Sequence, residues 1–346
     1  MMSPFETISL PPVPSDNAMN PAVQPAVQPA VQPAVQPDDV RRARDRIRKH
    51  VRTTPIIAVR AGELGLAFDV TLKLELMQHA GSFKARGAFN RVLAAAAARD
   101  VGPAGLIAAS GGNHGAAIAF VARQLGYPAE VFMPSTSPTI KRDRIASYGA
   151  RVHVIDGYFD DAQAAATLRQ MESGALGVHP FEHVDVIAGQ GTMAMELDDQ
   201  IGDYDTLVVA TGGGGFIAGQ AAWVQNRRRV VSVEPITSCC LYEARLNGKP
   251  VPVSISGIAA DSLGNGQLGA LAWSVVAHYV HDAVLVHDDD IRSAQRALWD
   301  ELRLVVEPGG AAALAALRAG VYTPTAGEHV VVAVCGSNCD PNTVTA

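Results

Sequence analysis

Eight short apolar runs, rich in Val, Ile and Ala, recur along the chain with longer Ala-rich stretches between them. They are VTLKLEL (70–76), LIAAS (106–110), AEVFMP (129–134), RVHVID (151–156), TLVVAT (206–211), RVVSVE (229–234), AVLVHD (283–288) and HVVVAVC (329–335). Intervening segments such as SFKARGAFNRVLAAAAA, NHGAAIAFVARQLG and GGAAALAALRAG are rich in helix formers and long enough for several turns. Runs that are apolar throughout, without strict alternation, are buried on both faces. Strands of this kind alternating with helices predict an α/β fold with mainly parallel sheets covered by helices. Ligands in such folds bind at the carboxyl ends of strands, so the residues that follow each run are the ones to read for chemistry.

Composition removes several classes of function. The 346 residues are 48% hydrophobic and 18% charged, enough to bury a sizeable core. With 28 Lys+Arg against 34 Asp+Glu the net charge is -6, without the basic excess that nucleic acid requires, so no nucleic-acid partner is expected. No run approaches the roughly 18 apolar residues of a membrane span. The opening MMSPFETISLPPVPSDN also lacks the charged-then-apolar order of an export signal. No membrane association is therefore expected. Four cysteines, with Cys239 and Cys240 adjacent and Cys335 and Cys339 near the end, do not make a disulfide scaffold and point to a reducing, cytoplasmic setting. The pairs His179/His183 and His278/His281 have metal-like spacing but no surrounding cluster of acids or thiols, so no metal site is expected.

Residues 21–37 read PAVQPAVQPAVQPAVQP. Proline at every fourth position forbids a helix and leaves little apolar surface to offset ordering entropy, which predicts a disordered low-complexity tail over 1–37. DDVRRARDRIRKHV follows, acids first and bases later, as suits the dipole of a first helix.

Unusual residues gather at the strand ends. After TLVVA come Thr211 and four glycines, Gly212 to Gly215, and then the helical FIAGQAAWVQ. Backbone N–H groups can converge there without a Cβ in the way, at a positive helix end, which predicts a phosphate or carboxylate site. The loop is neither GxGxxG nor GxxxxGK[ST]. Gly81-Ser82-Phe83-Lys84 opens a helix after VTLKLEL, and Lys84 is one of only five lysines. A lysine at the positive end of a helix is poorly placed for the dipole. It is either a solvated side chain or an amine whose pKa is lowered for imine chemistry. Ser110-Gly111-Gly112-Asn113-His114-Gly115 is a third strand-to-helix turn, suited to gripping a carboxylate, with Asn113 offering a neutral amide. Glu307-Pro308-Gly309-Gly310 opens another helix with an acid at its positive end, and Cys335-Gly336-Ser337-Asn338 ends the last strand.

In order, RTTPIIAVRAGELG, VTLKLELMQHAGSFKARGA, SGGNHGAAIAF, TGGGGFIAG, VEP, VEPGGAAALAAL and VCGSN resemble the fold-type II pyridoxal-phosphate enzymes, in the serine/threonine dehydratase and serine racemase branch, over about residues 50–340. The resemblance implies a two-lobed, tryptophan synthase β-like architecture. A large cofactor-binding domain would take 38–104 and 183–346, and a small domain 105–182. The implied cofactor is pyridoxal 5'-phosphate. Lys84 matches the family's Schiff-base lysine, Phe83 the residue beside the ring, Asn113 the partner of the 3-hydroxyl, and Gly212, Gly213, Gly214 and Gly215 the phosphate loop. Cys335 falls where the family sets Ser, Thr or Cys against the pyridine nitrogen; a neutral group there leaves the nitrogen largely unprotonated and favours elimination over transamination. Ser110, Gly111, Gly112 and His114 belong to the loop that closes over the substrate carboxylate.

By the same resemblance, the activity is β-elimination of L-threonine, L-serine or a related β-hydroxy amino acid to a 2-oxo acid and ammonia. Racemases of the family carry a second Ser where this chain has Gly111, which ranks racemisation lower. A serine racemase-type activity, a β-replacement synthase of the cysteine synthase type and a non-catalytic vitamer-binding protein remain as alternatives. A family cation site would use Glu234 and an acid six residues on, where this chain has Cys240, a poor ligand for hard cations, so no metal is expected. SGIAADSLGNGQLG (256–269) departs from the family's Asp-Gly pattern and leaves the choice of substrate open. A homodimer without the C-terminal regulatory module of biosynthetic threonine dehydratases is implied.

Overall fold

All eight apolar runs become strands, and two further strands join them among the residues described, which are 32–157 and 159–345 of the computed structural model. In chain order the strands are β1 (Ile56–Val59), β2 (Val70–Lys73), β3 (Leu106–Ala109), β4 (Ala129–Pro134), β5 (Arg151–Ile155), β6 (Leu176–Gly177), β7 (Thr206–Ala210), β8 (Arg229–Pro235), β9 (Asp282–Val286) and β10 (Val330–Ala333). Six form one sheet in the order β1-β2-β10-β7-β8-β9, and four form a second in the order β5-β4-β3-β6. Every pairing is parallel except the β1–β2 edge, where Ile57 lies opposite Leu72. The central strands β2, β3, β7 and β10 are buried at every residue, as their unbroken apolar character requires. No helix among the described residues is long and apolar enough to cross a membrane.

Parallel pairing sends the carboxyl ends of β2, β7, β8, β9 and β10 to one edge of the large sheet. The segments leaving β2, β7 and β10 carry Lys84, the four glycines and Cys335. The turn after β3, in the small sheet, meets them across the gap, since Asn113 bonds Glu307 and Asn338.

VTLKLEL is shorter as a strand than its apolar run suggests. It stops at Lys73 and turns through the short helical segment Glu75–Met77, although the Leu76 N–H still donates to Val334 O at 2.9 Å. The cause is a buried ionic knot. Arg86 donates to both carboxylate oxygens of Glu75 at 2.6 and 2.8 Å and to Glu196 at 3.1 Å. Lys73 donates to Glu196 at 2.5 Å and to Gln200 at 2.7 Å. Two cations face two carboxylates, so the knot is neutral overall, and nearly every polar atom has a partner, as burial demands. Arg86 lies two residues beyond Lys84, so the knot also fixes the first turn of helix Lys84–Ala98.

The tail is shorter than expected. Residues 1–31, with most of the repeat, lie outside the described residues. The last unit, Pro33–Gln36, packs on the large sheet: Val35 is fully buried in the main core and the Ala34 N–H donates to Ser274 Oγ at 3.0 Å. Pro37 is the first residue of helix Pro37–Ile47, where a missing N–H costs nothing, and Asp39 accepts the Gln36 N–H at 2.8 Å. This unit runs directly into the first helix, and its valine lies in the main core.

Candidate active site

Lys84 begins its helix at a point pinned to the end of β10. Phe83 N–H donates to Cys335 O at 3.2 Å, and Ser82 pairs with Gly336. The half-buried Lys84 Nζ donates to the Pro180 carbonyl at 3.0 Å and lies 5.1 Å from the centre of the Phe83 ring. Burial pulls its pKa down to about 8, against the opposing pull of Cys335 and Glu307. Of the two readings of Lys84 left open by the sequence, its half-burial, its bond to Pro180 O and its lowered pKa favour the amine suited to imine chemistry. Phe83 stacks on Phe216, their centroids 3.9 Å apart. Cys335 is buried, its Sγ 3.4 Å from Gly309 O, and burial pushes the thiol far above its ordinary range, so it stays protonated.

Gly212 to Gly215 join β7 to helix Gly215–Val224. Their N–H groups donate to no acceptor among the described residues. Gly214 adopts φ 89°, a conformation that L side chains rarely take, and a Cβ on Gly213 would stand 2.4 Å from the Phe181 ring. The loop is therefore a cradle of unpaired amides at a positive helix end, closed to side chains. It has the form of an anion site.

Ser110, Gly111 and Gly112 form a tighter turn, in which Ser110 Oγ accepts the Gly112 N–H at 3.2 Å. A Cβ on Gly111 would fall 1.9 Å from Ser137 Oγ, so the hydroxyl of Ser137 already occupies that space. Asn113 is held from both sides. Its Nδ2 donates to Glu307 Oε1 at 2.5 Å, and its Oδ1 accepts from Asn338 Nδ2 at 2.6 Å. Asn338 also donates to Ala80 O at 2.7 Å, which fixes its own orientation. A carboxylate can only accept, so the Asn113 amide cannot flip, and one of its N–H bonds is left free. The His114 ring is buried with Nε2 2.7 Å from Val178 O, and burial lowers its pKa to about 3. This neutral ring is committed to the backbone. Of the turn's N–H groups, that of Ser110 donates to Phe132 O at 2.9 Å and that of Gly112 to Ser110 Oγ, which leaves the Gly111 N–H without an acceptor among the described residues.

Glu307 and Asn338 are the site residues that sequence reading passed over. Glu307 was visible as an acid at a helix start and Asn338 as the end of VCGSN, but neither pattern says that they meet at Asn113. Glu307 is buried with Oε2 unpartnered, and burial raises its pKa against the charges of Lys141 and Lys84. Glu234 has a different duty. Its two oxygens accept the N–H groups of Leu241 and Tyr242 at 2.9 and 2.7 Å, capping helix Cys240–Asn247, and burial pushes its pKa up to about 8. Cys240 Sγ turns to Gly212 O at 3.2 Å. The spaced histidines are likewise engaged with backbone: His179 accepts the Glu182 N–H at 2.8 Å, His183 the Asp185 N–H at 3.1 Å and His281 the Val230 N–H at 3.2 Å, while His278 bonds Ser274 O at 2.9 Å. No group of three or more potential metal ligands occurs among the described residues.

An amine of lowered pKa, a cradle of unpaired glycine amides and a second glycine turn thus lie together at the strand ends. Residues 47–336 match the family described as pyridoxal-phosphate dependent enzyme. The chain is 36% identical over 308 residues to L-threonine ammonia-lyase from Geobacter sulfurreducens, covering 88% of this chain and 76% of that one. It is 35% identical over 305 residues to phenylserine dehydratase from Ralstonia pickettii, covering 87% and 92%. Among solved structures, maize serine racemase superposes with a TM-score of 0.83 at 31% identity over 90% of this chain and 96% of its own. The unpaired glycine amides and the low-pKa lysine are what a phosphorylated aldehyde needs, and the chain belongs to the fold-type II pyridoxal-phosphate dependent enzymes, in the branch of the serine/threonine dehydratases and serine racemases.

Proposed function

We propose that the protein eliminates the β-hydroxyl of L-threonine, L-serine or a related β-hydroxy amino acid, giving a 2-oxo acid and ammonia. The observation that carries this reading is the lysine: Lys84 has its amine lowered to about 8 inside a cleft with two anion-binding turns. Bound pyridoxal phosphate supplies the electron sink that acidifies the substrate's α-C–H. Gly212 to Gly215 would hold the phosphate through their amides, and the free N–H of Asn113 would be available to the ring oxygen. Cys335 presents a neutral thiol to the ring nitrogen, and Phe83, stacked on Phe216, walls the ring. The Ser110–Gly112 turn takes the substrate carboxylate.

A substantial fraction of Lys84 is neutral near pH 8, so it can accept the α-proton. Loss of the α-proton and of the hydroxyl as water forms a carbon–carbon double bond. The released enamine tautomerises and takes up water to give the 2-oxo acid and ammonia. We further propose a large lobe of 38–104 and 183–346, a small lobe of 105–182, a homodimeric assembly and a cytoplasmic setting.

One observation favours a second reading. Ser137 Oγ fills the place of a side chain on Gly111, where racemases of the family carry their second acid/base. A panel of β-hydroxy amino acids assayed for ammonia, 2-oxo acid and D-isomer separates the two. Elimination predicts ammonia and 2-oxo acid in equal amounts and in excess of any D-isomer. Net inversion exceeding oxo-acid release, lost in Ser137→Ala, would establish the racemase instead.

A further inference from the structure

Lys141, the second lysine at this cleft, is almost fully buried yet lies in a helix that runs over the small sheet, Thr139–Ser147. Its ammonium pairs with Asp261, which comes from the large-sheet side of the cleft. The pair stands directly beside the carboxylate turn: a Cβ on Gly112 would be 3.9 Å from Lys141 Nζ and 3.4 Å from Asp261 O. The residues after Asp261 continue across the cleft. Ser262 Oγ accepts the Gly309 N–H at 3.0 Å, and Leu263 O would lie 2.8 Å from a Cβ on Gly212. One short segment therefore touches both the carboxylate turn and the phosphate loop. A cavity beside the turn, lined by Gly112, Ala116, Lys141, Arg144, Ser337 and Asn338, leaves room next to the pair.

An amino acid seated with its amine at Lys84 and its α-carboxylate on the Ser110–Gly112 turn has one substituent left to place. Lys141 is the buried cation next to that turn, and Asp261 already neutralises it. We propose that Lys141 and Asp261 form a specificity-determining pair that admits amino acids with a neutral side chain and refuses those with a second carboxylate, because Asp261 holds the buried cation beside the turn, while Arg144, the other cation of the cavity, is exposed and turned to Tyr148. This rests on the reading of the cleft as an amino-acid site, not on the elimination step. A distal carboxylate must either displace Asp261 or enter beside it, and like charge at that distance disfavours both.

The test is binding of two amino acids without a β-hydroxyl to the holoenzyme, by titration calorimetry: L-alanine, neutral, and L-aspartate, with a second carboxylate. Wild type binds L-alanine more tightly. In Asp261→Asn the ratio moves toward L-aspartate by about tenfold or more, and in the Lys141→Met/Asp261→Asn double variant that gain disappears. A gain in affinity cannot come from a damaged fold. An unchanged ratio in Asp261→Asn, a gain that persists without Lys141, equal affinities in wild type, or no binding of either ligand each overturns the proposal. If the ratio shifts as stated while L-threonine and L-serine yield no ammonia, the pair stands and the elimination reading fails.

Discussion

The two turns that expose backbone amides to the cleft are built on opposite principles. The Gly212–Gly215 loop belongs to one sheet, its glycines are mostly buried, and the ring of Phe181 leaves no space for a Cβ on Gly213. The Ser110–Gly112 turn is half-buried, belongs to the small sheet, and is fastened to the large sheet by side chains: Asn113 through Glu307 and Asn338, and Gly112 beside the Lys141–Asp261 pair. Rigid packing suits a group that stays. A turn held by polar links across two sheets suits a ligand that must enter and leave. In a chain of net charge -6 with five lysines, the unpaired amides of Gly212 to Gly215 offer an anion a partner that needs no basic side chain.

The contrast breaks most visibly in the cradle. Gly213→Val puts a side chain into the half-buried Phe181 ring, three of whose atoms lie within 2.7 Å of the new Cβ. Affinity of the apoprotein for pyridoxal phosphate should fall by at least about 100-fold, some 2.7 kcal/mol, in a spectrophotometric titration. Wild-type affinity in that variant would refute the cradle. Gly111→Ser should be milder, because what stands in its way is the small side chain of Ser137, whose hydroxyl can rotate and whose Cβ, 2.8 Å away, must shift only slightly. KM for the amino-acid substrate should rise about tenfold while cofactor affinity changes less than about twofold, and adding Ser137→Gly should restore KM. Loss of cofactor affinity in Gly111→Ser would show that the two turns are one unit.

The smallest effect is in pH. With a folded pKa of about 8 the Lys84 amine binds its proton less tightly than in the unfolded chain, whose lysines titrate near 10.5. The apoprotein therefore gains stability from this group as pH rises from about 8 to 10.5, and below 8 it carries the full cost of the buried charge. Reductive methylation of the apoprotein, followed by mass spectrometry of each lysine, should show Lys84 reactivity rising about tenfold from pH 7 to pH 9 and then levelling. A lysine free in solution keeps rising over the same range.

The strands were legible because unbroken Val and Ile runs admit few other structures. β1 was not: IIAV is four residues long and is identified as a strand only by its antiparallel partner. The glycine loop and Lys84 were legible because each is a local pattern at a strand end. The contacts that give the second turn its character were not. Ser137, Lys141 and Asp261 reach Gly111 and Gly112 from distant segments, and no spacing rule links an aspartate at 261 to a lysine at 141. The final PAVQ unit failed as a prediction for a related reason. A repeat looks uniform in sequence, and its pattern gives no sign that Val35 is buried in the main core.

Five lysines make the central claim open to one measurement. Holoprotein is reduced with borohydride, digested, and searched by mass for the cofactor adduct. The adduct should sit on Lys84, in near-stoichiometric yield, and be absent from Lys49, Lys73, Lys141 and Lys249. An adduct on Lys141, the other lysine of the cleft, or no adduct on any lysine, would contradict the account.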